Sequence, residues 1–455
     1  MKIFVAFYLF FEKVLYICKK KKSMIIDKIT LGGISNIERV SLSLSGIDAL
    51  IAPNNYGKSN ILHAIDFGLG FIRASANRKK KSMCNSTFIP INKRLEGSPF
   101  IFELEGILEL NKQKISYIYG YSFEWAKTGK GVKGSCITEE YLKLKGEQET
   151  KYKSYINRTP AVSYYLASPT GRCSKSIQID DDLLVLNKLQ NFDELFYLEA
   201  LKILTKFERN NVDTLQNPDS YFGSISILDS ETFDGYSLSM PENQTKISLF
   251  IKSLEQESPE KFNLFKDAII ALLPNIEDFK PIKVDLKKEF ESDDEKLPFR
   301  LPDVFYDIQV KEKCNNQYTT IRRLSTGCKK IFCVLTLAIA ADINKLPLLT
   351  FEELENSVHT YLFRQMLETL SNLAGNTKIL LTSHSPYLIQ YLDPAQVKIG
   401  LPNHDCIADF REIKQSKLKK VLRNASVQEE TLGEYLFDLM LNEEADEEFL
   451  KEYFI

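Results

Sequence analysis

A short loop near the amino terminus has the residue types that bind phosphate. Gly57, Lys58 and Ser59 stand together in APNNYGKSN, after a short apolar run at 49–51 and before a stretch with the apolar pattern of a helix. In this context, backbone amides and a helix N-terminus can surround phosphate oxygens. We expect the Lys58 ammonium to reach the β- and γ-phosphates of a nucleotide and the Ser59 hydroxyl to bind Mg²⁺.

A second candidate precedes an apolar helix in the last third of the chain. Ser325 and Gly327, in LSTG, come shortly before the apolar sequence IFCVLTLAIAADI. A serine and a glycine at a helix start offer a hydroxyl and free amides to an anion. A plain helix cap explains the same residues, so this motif alone leaves both interpretations open.

Two adjacent carboxylates follow an apolar strand. Glu352 and Glu353 come directly after the apolar run 348–351. Carboxylates at the end of a buried strand are costly unless they have a task, and a metal ion with an attacking water supplies one. We expect Glu352 to hold the Mg²⁺ shell and Glu353 to orient and deprotonate the water. The alternative is a solvated strand end.

A histidine follows the next predicted strand. His384 comes after LLTS, which reads as a buried strand. An imidazole there can bond the γ-phosphate and sense its loss. Taken alone, a core histidine would be the simpler interpretation, but as the fourth element in this order His384 favours the functional one.

The order of these motifs predicts how the chain is organised. The stretch 145–300 has few glycines and no phosphate motif, and its two apolar stripes, 180–209 and 246–273, have helical spacing. We therefore predict a mostly helical insertion between two halves of one nucleotide-binding domain. The predicted regions are an N-terminal extension at 1–23, an N-terminal lobe at 24–144, the insertion at 145–300, a C-terminal lobe at 301–400 and a tail at 401–455.

The first residues do not have the pattern of a membrane span. Their apolar part is interrupted by Glu12 and Lys13 and is shorter than the roughly 20 residues that a spanning helix needs. No small-residue cleavage site follows it, which argues against a signal peptide. We expect the working domain to begin near Met24 and the protein to act without a membrane.

Net charge and cysteine spacing indicate which partners and which cellular compartment suit the chain. The formal net charge is −2, from 59 basic and 61 acidic residues, so DNA binding would need a local basic patch. The best candidate is formed by Lys79, Lys80 and Lys81, within a basic run, Arg78–Lys81, that we predict to lie in a polar loop; a plain solvated loop is the alternative interpretation. The eight cysteines form no Cys-x-x-Cys pair, which favours reduced thiols in the cytoplasm.

The four motifs together resemble those of ABC-type ATPases of the RecF, SMC and OLD kind, often labelled AAA ATPases. That family has a G-P-N-G-x-G-K-S-N loop, an L-S-x-G signature, an E-E-P-E or D-E-P-E Walker B that runs on to a histidine, and T-[ST]-H-S-P. Here they read APNNYGKSN, LSTG, EELENSVH and TSHSP. The resemblance covers about 24–140 and 300–395. It implies an α/β P-loop NTPase head with a mixed sheet and helices.

In this family two heads enclose ATP and Mg²⁺ between them. The resemblance implies that Ser325 and Gly327 of one copy contact the nucleotide at Lys58 of another, so the chain would form an ATP-dependent homodimer or higher oligomer. Glu355, Asn356 and His359 would form the D-loop across the interface. The implied ATP-binding residues are Asn54, Asn55, Tyr56, Gly57, Lys58, Ser59 and Asn60.

The sequence also departs from the family pattern. Ala52 stands at the first glycine, Asn55 and Tyr56 replace commoner small residues, and Leu354 replaces the usual proline. No convincing Q-loop glutamine is present. Slow or regulated turnover is therefore expected.

The biological role is inferred from what the chain lacks. Residues 385–455 are too few for the Toprim nuclease domain of OLD-type proteins, so we expect no nuclease activity. Stand-alone heads of this kind resemble the ATPase subunits of anti-phage systems such as Septu and PARIS. We therefore expect a sensor and scaffold that controls a separate effector, such as a nuclease. The acidic segment 443–452 could dock it or be a surface helix.

Two other roles were weighed against this one. A DNA-repair ATPase of the RecF type would need a basic surface. A transporter nucleotide-binding subunit is disfavoured by the long insertion and by the E-E-x-E…H form of Walker B.

Overall fold

The computed structural model describes most of the chain in separate ranges. These are residues 23–84, 89–110, 113–126, 136–206, 215, 217–222, 247–285, 304–356, 358–401, 405–441 and 452–454.

The strands of these ranges form three sheets. In chain order they are β1 (Ser23–Ile34), β2 (Ile37–Ser43), β3 (Ile47–Ile51), β4 (Phe100–Leu110), β5 (Gln113–Glu124), β6 (Cys136–Gly146), β7 (Lys153–Arg158), β8 (Ser163–Leu166), β9 (Cys173–Ser176), β10 (Ile276–Asp285), β11 (Val304–Glu312), β12 (Thr319–Thr320), β13 (Leu348–Glu352), β14 (Lys378–Ser383), β15 (Val397–Gly400) and β16 (Phe410–Glu412).

The α-helices lie between these strands and after them. In chain order they are α1 (Lys58–Arg73), α2 (Ala76–Met83), α3 (Val185–Leu189), α4 (Leu198–Lys206), α5 (Ile247–Glu257), α6 (Pro259–Leu272), α7 (Thr326–Asn344), α8 (Thr360–Ala374), α9 (Leu418–Val427) and α10 (Leu432–Leu441). The protein is thus a mixed α/β structure, as predicted.

A five-stranded sheet places three of the four predicted motifs along one edge. Its order is β13-β14-β3-β15-β16, and the strands are parallel except for the β15–β16 pair. Because β3, β13 and β14 run in the same direction, their carboxyl ends meet at one edge of the sheet. The phosphate loop follows β3, the paired glutamates end β13, and His384 follows β14.

The strand before the phosphate loop is buried on both faces. Ala49 and Ile51 pack into a core with α7 and α8, whereas Leu50 packs into a second core with α1 and the large antiparallel sheet. This alternation follows from the two-residue period of a strand. The phosphate loop is thus anchored between the two cores.

The largest sheet is antiparallel and has the order β2-β1-β4-β5-β6-β7-β8-β9. In β4, FIFELEGILEL, apolar and mostly polar positions alternate, and burial alternates with them. This period of two is the signal by which a half-buried strand is predicted.

Strands β7 to β9 lie within 145–300, which we predicted to be mostly helical. Their sequences are KSYINR, SYYL and CSKS, too short and too polar to show a strand period. Antiparallel pairing with β6 and with each other holds them, and such pairing depends on neighbours rather than on local propensity. The predicted helical stretches of this region contain α3 to α6, while β10 pairs with β11 in a further sheet.

The basic run Arg78–Lys81 also differs from its prediction, because it lies in α2 rather than in a loop. Lys79 is fully buried. Its ammonium donates to Ile72 O at 3.3 Å and to Ala74 O, and it lies 5.5 Å from the centroid of the Phe71 ring. Carbonyls at the end of a helix lack intrahelical donors, and this lysine supplies one to the last turn of α1. The run is therefore not a continuous basic surface.

The described part of the chain after 405 packs against the segment that follows β14. Leu436 and Met440 of α10 are buried. A Cβ at Gly433 would lie 2.2 Å from Pro386 O, so the helix touches the backbone that follows His384. Of the acidic segment 443–452, only Glu452 lies within the described residues, and it pairs with Lys417 and Lys420.

The predicted N-terminal extension lies outside the described residues, except that Ser23 begins β1. No helix in the part of the chain that the structure describes is long and apolar enough to cross a membrane.

Candidate functional site

The phosphate loop turns sharply into α1 at Gly57. This residue has φ 93°, a left-handed conformation that favours glycine. A Cβ there would lie 2.8 Å from Asn36 Oδ1. Asn36 also accepts a 2.8 Å hydrogen bond from Asn60 Nδ2, so the β1–β2 turn supports the loop from outside.

The departure at Ala52 has a structural explanation. Ala52 is fully buried, and a Cβ at Gly400 would lie 2.6 Å from the Ala52 Cβ. The Ala52 methyl group thus lies in space that Gly400 of β15 leaves free. Leu354, which replaces the usual proline, is buried in the core beside α7 and α8.

Lys58 is drawn into the phosphate loop. Its Nζ donates to Ala52 O at 2.7 Å and to Pro53 O at 2.9 Å. Burial lowers the pKa of Lys58, and the negative charges of Glu353, Glu355 and Glu352 act in the opposite direction. The lysine thus lies within electrostatic reach of the acids that follow β13. The structure therefore brings together two motifs that are separated in sequence.

Glu353 and His384 meet at the carboxyl ends of the neighbouring strands β13 and β14. His384 Nδ1 lies 3.3 Å from Glu353 Oε1, and both side chains are partly exposed. Asn356 Nδ2 donates to Glu353 Oε2 at 2.8 Å. A carboxylate that is held from two sides yet open to solvent suits a group that must orient and deprotonate a water molecule.

The backbone at Glu353 is unusual. Its φ is 46°, a left-handed conformation that costs about 1–3 kcal/mol for a residue with a side chain. Its amide donates to Thr382 O at 2.9 Å, and its carbonyl accepts from the Asn356 amide at 3.1 Å. Lys330 Nζ donates to the same carbonyl at 3.1 Å. A strained residue held by this many contacts is typical of a functional site.

Glu355 was predicted to belong to a D-loop. Its Oε1 accepts a hydrogen bond from Ser383 Oγ, and its buried Oε2 has no hydrogen-bond partner among the described residues. Its charge acts on Lys58 and also on Lys330. Burial lowers the pKa of Lys330 to about 8, against the opposing charges of Glu355 and Glu353.

The remaining predicted residues lie at element ends. Ser325 is exposed and caps α7 by accepting from the Cys328 amide at 3.3 Å; Gly327 lies in the first turn of that helix. His359 caps α8, with Nδ1 accepting from the Tyr361 amide at 3.4 Å. Within one chain, therefore, Ser325 acts as a plain helix cap.

The outer part of the phosphate loop faces solvent. Asn54, Asn55 and Ser59 are exposed, and Asn55 has φ 67°. Tyr56 instead points toward the tail, and its hydroxyl donates to Met440 O at 3.2 Å.

The donor set fits a magnesium ion that is shared with a nucleotide. Among the described residues no three His, Cys, Asp or Glu side chains converge on one point. Mg²⁺ in nucleotide sites is commonly held by one or two protein oxygens together with phosphates and water. An exposed Ser59 hydroxyl at the start of α1 and a half-buried Glu352 near Lys58 are oxygen donors of this kind.

Sequence reasoning missed three residues that touch the site. Asn36 supports the phosphate loop, Lys330 holds the turn at Glu353, and Ser383 bonds Glu355. Ser383 stands next to His384 and could have been suspected. The other two lie far along the chain from the residues they contact, and no local pattern marks them.

A family model matches most of the chain. Residues 24–389 match the family described as AAA ATPase domain. The search of curated proteins found no significant match.

Similar solved structures include SMC heads. One is an Smc head bound to the C-winged helix domain of ScpA, with 14% identity, TM-score 0.45, and coverage of 87% of this chain and 99% of that chain. Another is the SMC head domain from Thermotoga maritima, with 13% identity, TM-score 0.40, and coverage of 86% and 100%.

The family match begins at Met24 and ends five residues after His384. It therefore includes the phosphate loop, the glutamate pair and the histidine that the fold brings to one edge. The chain belongs to the AAA ATPase domain family.

Proposed function

We propose that the chain binds and hydrolyses Mg²⁺-ATP in a composite site formed by two copies of itself. The observation that carries the proposal is that Lys58, Glu353 and His384 follow three strands whose carboxyl ends share one edge of the parallel sheet. That edge is the usual ligand site of open α/β sheets.

The residues would act in the following way. The Lys58 ammonium exchanges its bonds to two loop carbonyls for the β- and γ-phosphate oxygens. The Glu353 carboxylate accepts a proton from the attacking water, and His384 holds that carboxylate and bonds the γ-phosphate. Ser59 and Glu352 would hold Mg²⁺, which neutralises charge on the phosphates.

Replacement of the general base tests the chemistry. Glu353→Gln should still bind ATP, hydrolyse it far more slowly and accumulate as an ATP-bound dimer. Phosphate release and light scattering after size-exclusion chromatography, with and without Mg²⁺-ATP, would report both effects. Unchanged turnover would exclude the proposed role of Glu353.

The composite site has a sharper test. Ser325 is exposed and touches only its own helix in the contacts described above, so a second copy can reach it. Lys58→Ala and Ser325→Arg should each be inactive alone. Mixing them in equal amounts should restore about a quarter of the wild-type rate, because half of the dimers are mixed and each holds one intact site. No recovery would place the whole site within one chain.

For the biological role we propose a cytoplasmic sensor and scaffold that controls a separate effector, such as a nuclease, in anti-phage defence. The support is the resemblance of the four motifs to stand-alone defence ATPases. Lys79 is buried, which weakens the one candidate DNA patch. The product of a neighbouring gene should copurify with the chain. The activity of that effector should differ between Glu353→Gln, which is expected to stay ATP-bound, and Lys58→Ala, which is expected not to bind ATP: one variant should leave the effector active and the other inactive. Salt-sensitive DNA binding would instead favour a repair ATPase.

A further inference from the structure

Lys330 is a buried lysine that lies outside the four sequence motifs. It follows Ser325 by five positions in α7 and is 2% exposed. Its Nζ donates to Glu353 O at 3.1 Å and to Asn356 O at 3.0 Å. One ammonium therefore joins the helix that begins at Ser325 to both ends of the turn that follows β13.

The turn at Glu353 contains a strained backbone conformation that contacts from neighbouring residues must hold in place. Glu353 has a positive φ of 46°, and the direction of its side chain depends on that conformation. On one side its amide is held by Thr382 O at 2.9 Å. On the other side its carbonyl accepts from Lys330 Nζ and from the Asn356 amide, each at 3.1 Å, and Lys330 also donates to Asn356 O at 3.0 Å. Without the Lys330 ammonium, only the Asn356 amide would hold that carbonyl, so the backbone could relax toward a common conformation and the carboxylate would leave its contact with His384.

We propose that Lys330 is a positioning residue for ATP hydrolysis: it fixes the turn that aims the Glu353 carboxylate, and it ties that aim to the position of the helix that begins at Ser325. This inference rests on the proposed ATPase function. Lys330 touches two carbonyls rather than substrate, so it acts through Glu353.

The chain offers a matched control in the neighbouring residue. Lys329 lies on the same helix and is 5% exposed. Its Nζ donates instead to Asp219 at 2.5 Å and to Arg322 O at 3.3 Å. Lys329→Met therefore removes a buried ammonium of equal size without touching the turn at Glu353.

The experiment compares Lys330→Met, Lys329→Met and wild type in steady-state ATP hydrolysis, with ATP affinity and melting temperature measured on the same samples. Lys330→Met should lower kcat about 10- to 100-fold, the effect expected of a misplacement of about 1 Å. Its KM should stay within about twofold of wild type, because no contact of Lys58 is altered. Lys329→Met should retain the wild-type kcat. In a Glu353→Gln background, Lys330→Met should cause no further loss, since both changes act on one group.

Several results would overturn the proposed role of Lys330. Equal kcat for Lys330→Met and Lys329→Met would overturn the inference, and so would a loss that appears in KM alone. If Lys330→Met does not fold, Lys330→Gln, which keeps two N–H donors, should fold and give an intermediate kcat. A Lys330→Gln protein that also fails to fold would show a purely structural role and overturn the inference. A wild-type protein without ATPase activity would instead contradict the proposed function.

Discussion

Two clusters of charged side chains lie near opposite ends of α1, and they differ in how far their carboxylates are open to solvent. In the large antiparallel sheet, Glu140 is fully buried and accepts from Tyr119 at 3.2 Å and from the amides of Val185 and Leu186 at 2.5 and 2.9 Å. At the edge of the parallel sheet, Glu353 is partly exposed and contacts His384.

Both clusters contain a lysine whose pKa is lowered by burial, Lys58 in one and Lys79 in the other. Arg158 faces Glu140 and donates to Leu183 O at 2.7 Å. Burial and shifted pKa values therefore do not separate the candidate site from the scaffold. Backbone strain and a solvent-accessible carboxylate do, and these mark only the cluster at Glu353.

The largest expected difference between the two clusters is in kcat, when the glutamate of each is replaced by glutamine. Glu353→Gln should lower kcat about 10²- to 10⁴-fold, the usual contribution of a general base. Glu140→Gln should leave kcat within about twofold, because Glu140 touches none of the motifs. Steady-state phosphate release measures both. Similar losses in the two variants would show that the clusters are not functionally distinct.

The next largest effect is a change of the free energy of unfolding with pH, caused by the titration of Glu140. Burial raises the pKa of Glu140 to about 7 from 4.5, against the opposing effects of its amide donors and Arg158. Between these values the folded protein holds a proton that the unfolded chain releases. The contribution to stability is therefore fully present below pH 4.5 and is lost as pH rises through about 7.

Glu140→Gln should lack this loss. The free energy of unfolding of the wild type, relative to that of Glu140→Gln, should fall by roughly 3 kcal/mol across the window. Urea unfolding at several pH values provides the measurement, with Glu139→Gln as the control on the same strand. A difference that stays constant with pH would contradict the predicted titration.

Lys79→Met should lower the free energy of unfolding by about 1–3 kcal/mol, because two carbonyls at the end of α1 lose their buried donor. ATP hydrolysis should not change. Lys80→Met is the control, since Lys80 is the exposed neighbour in α2. Equal stabilities of the two variants in urea unfolding would show that the buried bonds contribute nothing.

The smallest expected change in stability comes from Tyr56, which lies in the phosphate loop but contacts a helix outside it. Tyr56 lies in the phosphate loop, yet its hydroxyl bonds Met440 O in α10. Tyr56→Phe should lower the free energy of unfolding by about 0.5–1.5 kcal/mol, the usual net value of one hydrogen bond. Tyr361→Phe, at an exposed position, should change it less. A drop in ATP affinity without a change in stability would instead assign the Tyr56 hydroxyl to the nucleotide.

Local patterns predicted the elements that carry the motifs. The apolar stretch before Lys58, the helix after Ser325 and the strands before Glu353 and His384 all form where the sequence places them. Each has a run of mostly apolar residues that is buried in the structure, so propensity and burial favour the same structure. β9, with the sequence CSKS, forms only through its pairing with β8, and no local pattern predicts it.

The sequence by itself determined which residues are the candidates for the chemistry, because phosphate-loop, glutamate and histidine motifs are short and keep a fixed order along the chain. Only the tertiary structure decided how they are held. The lysines at 79 and 330 look like surface charges in the sequence, but each donates to backbone carbonyls of another element. Such contacts join residues that are distant along the chain or lie on different elements, and neither composition nor periodicity contains that information.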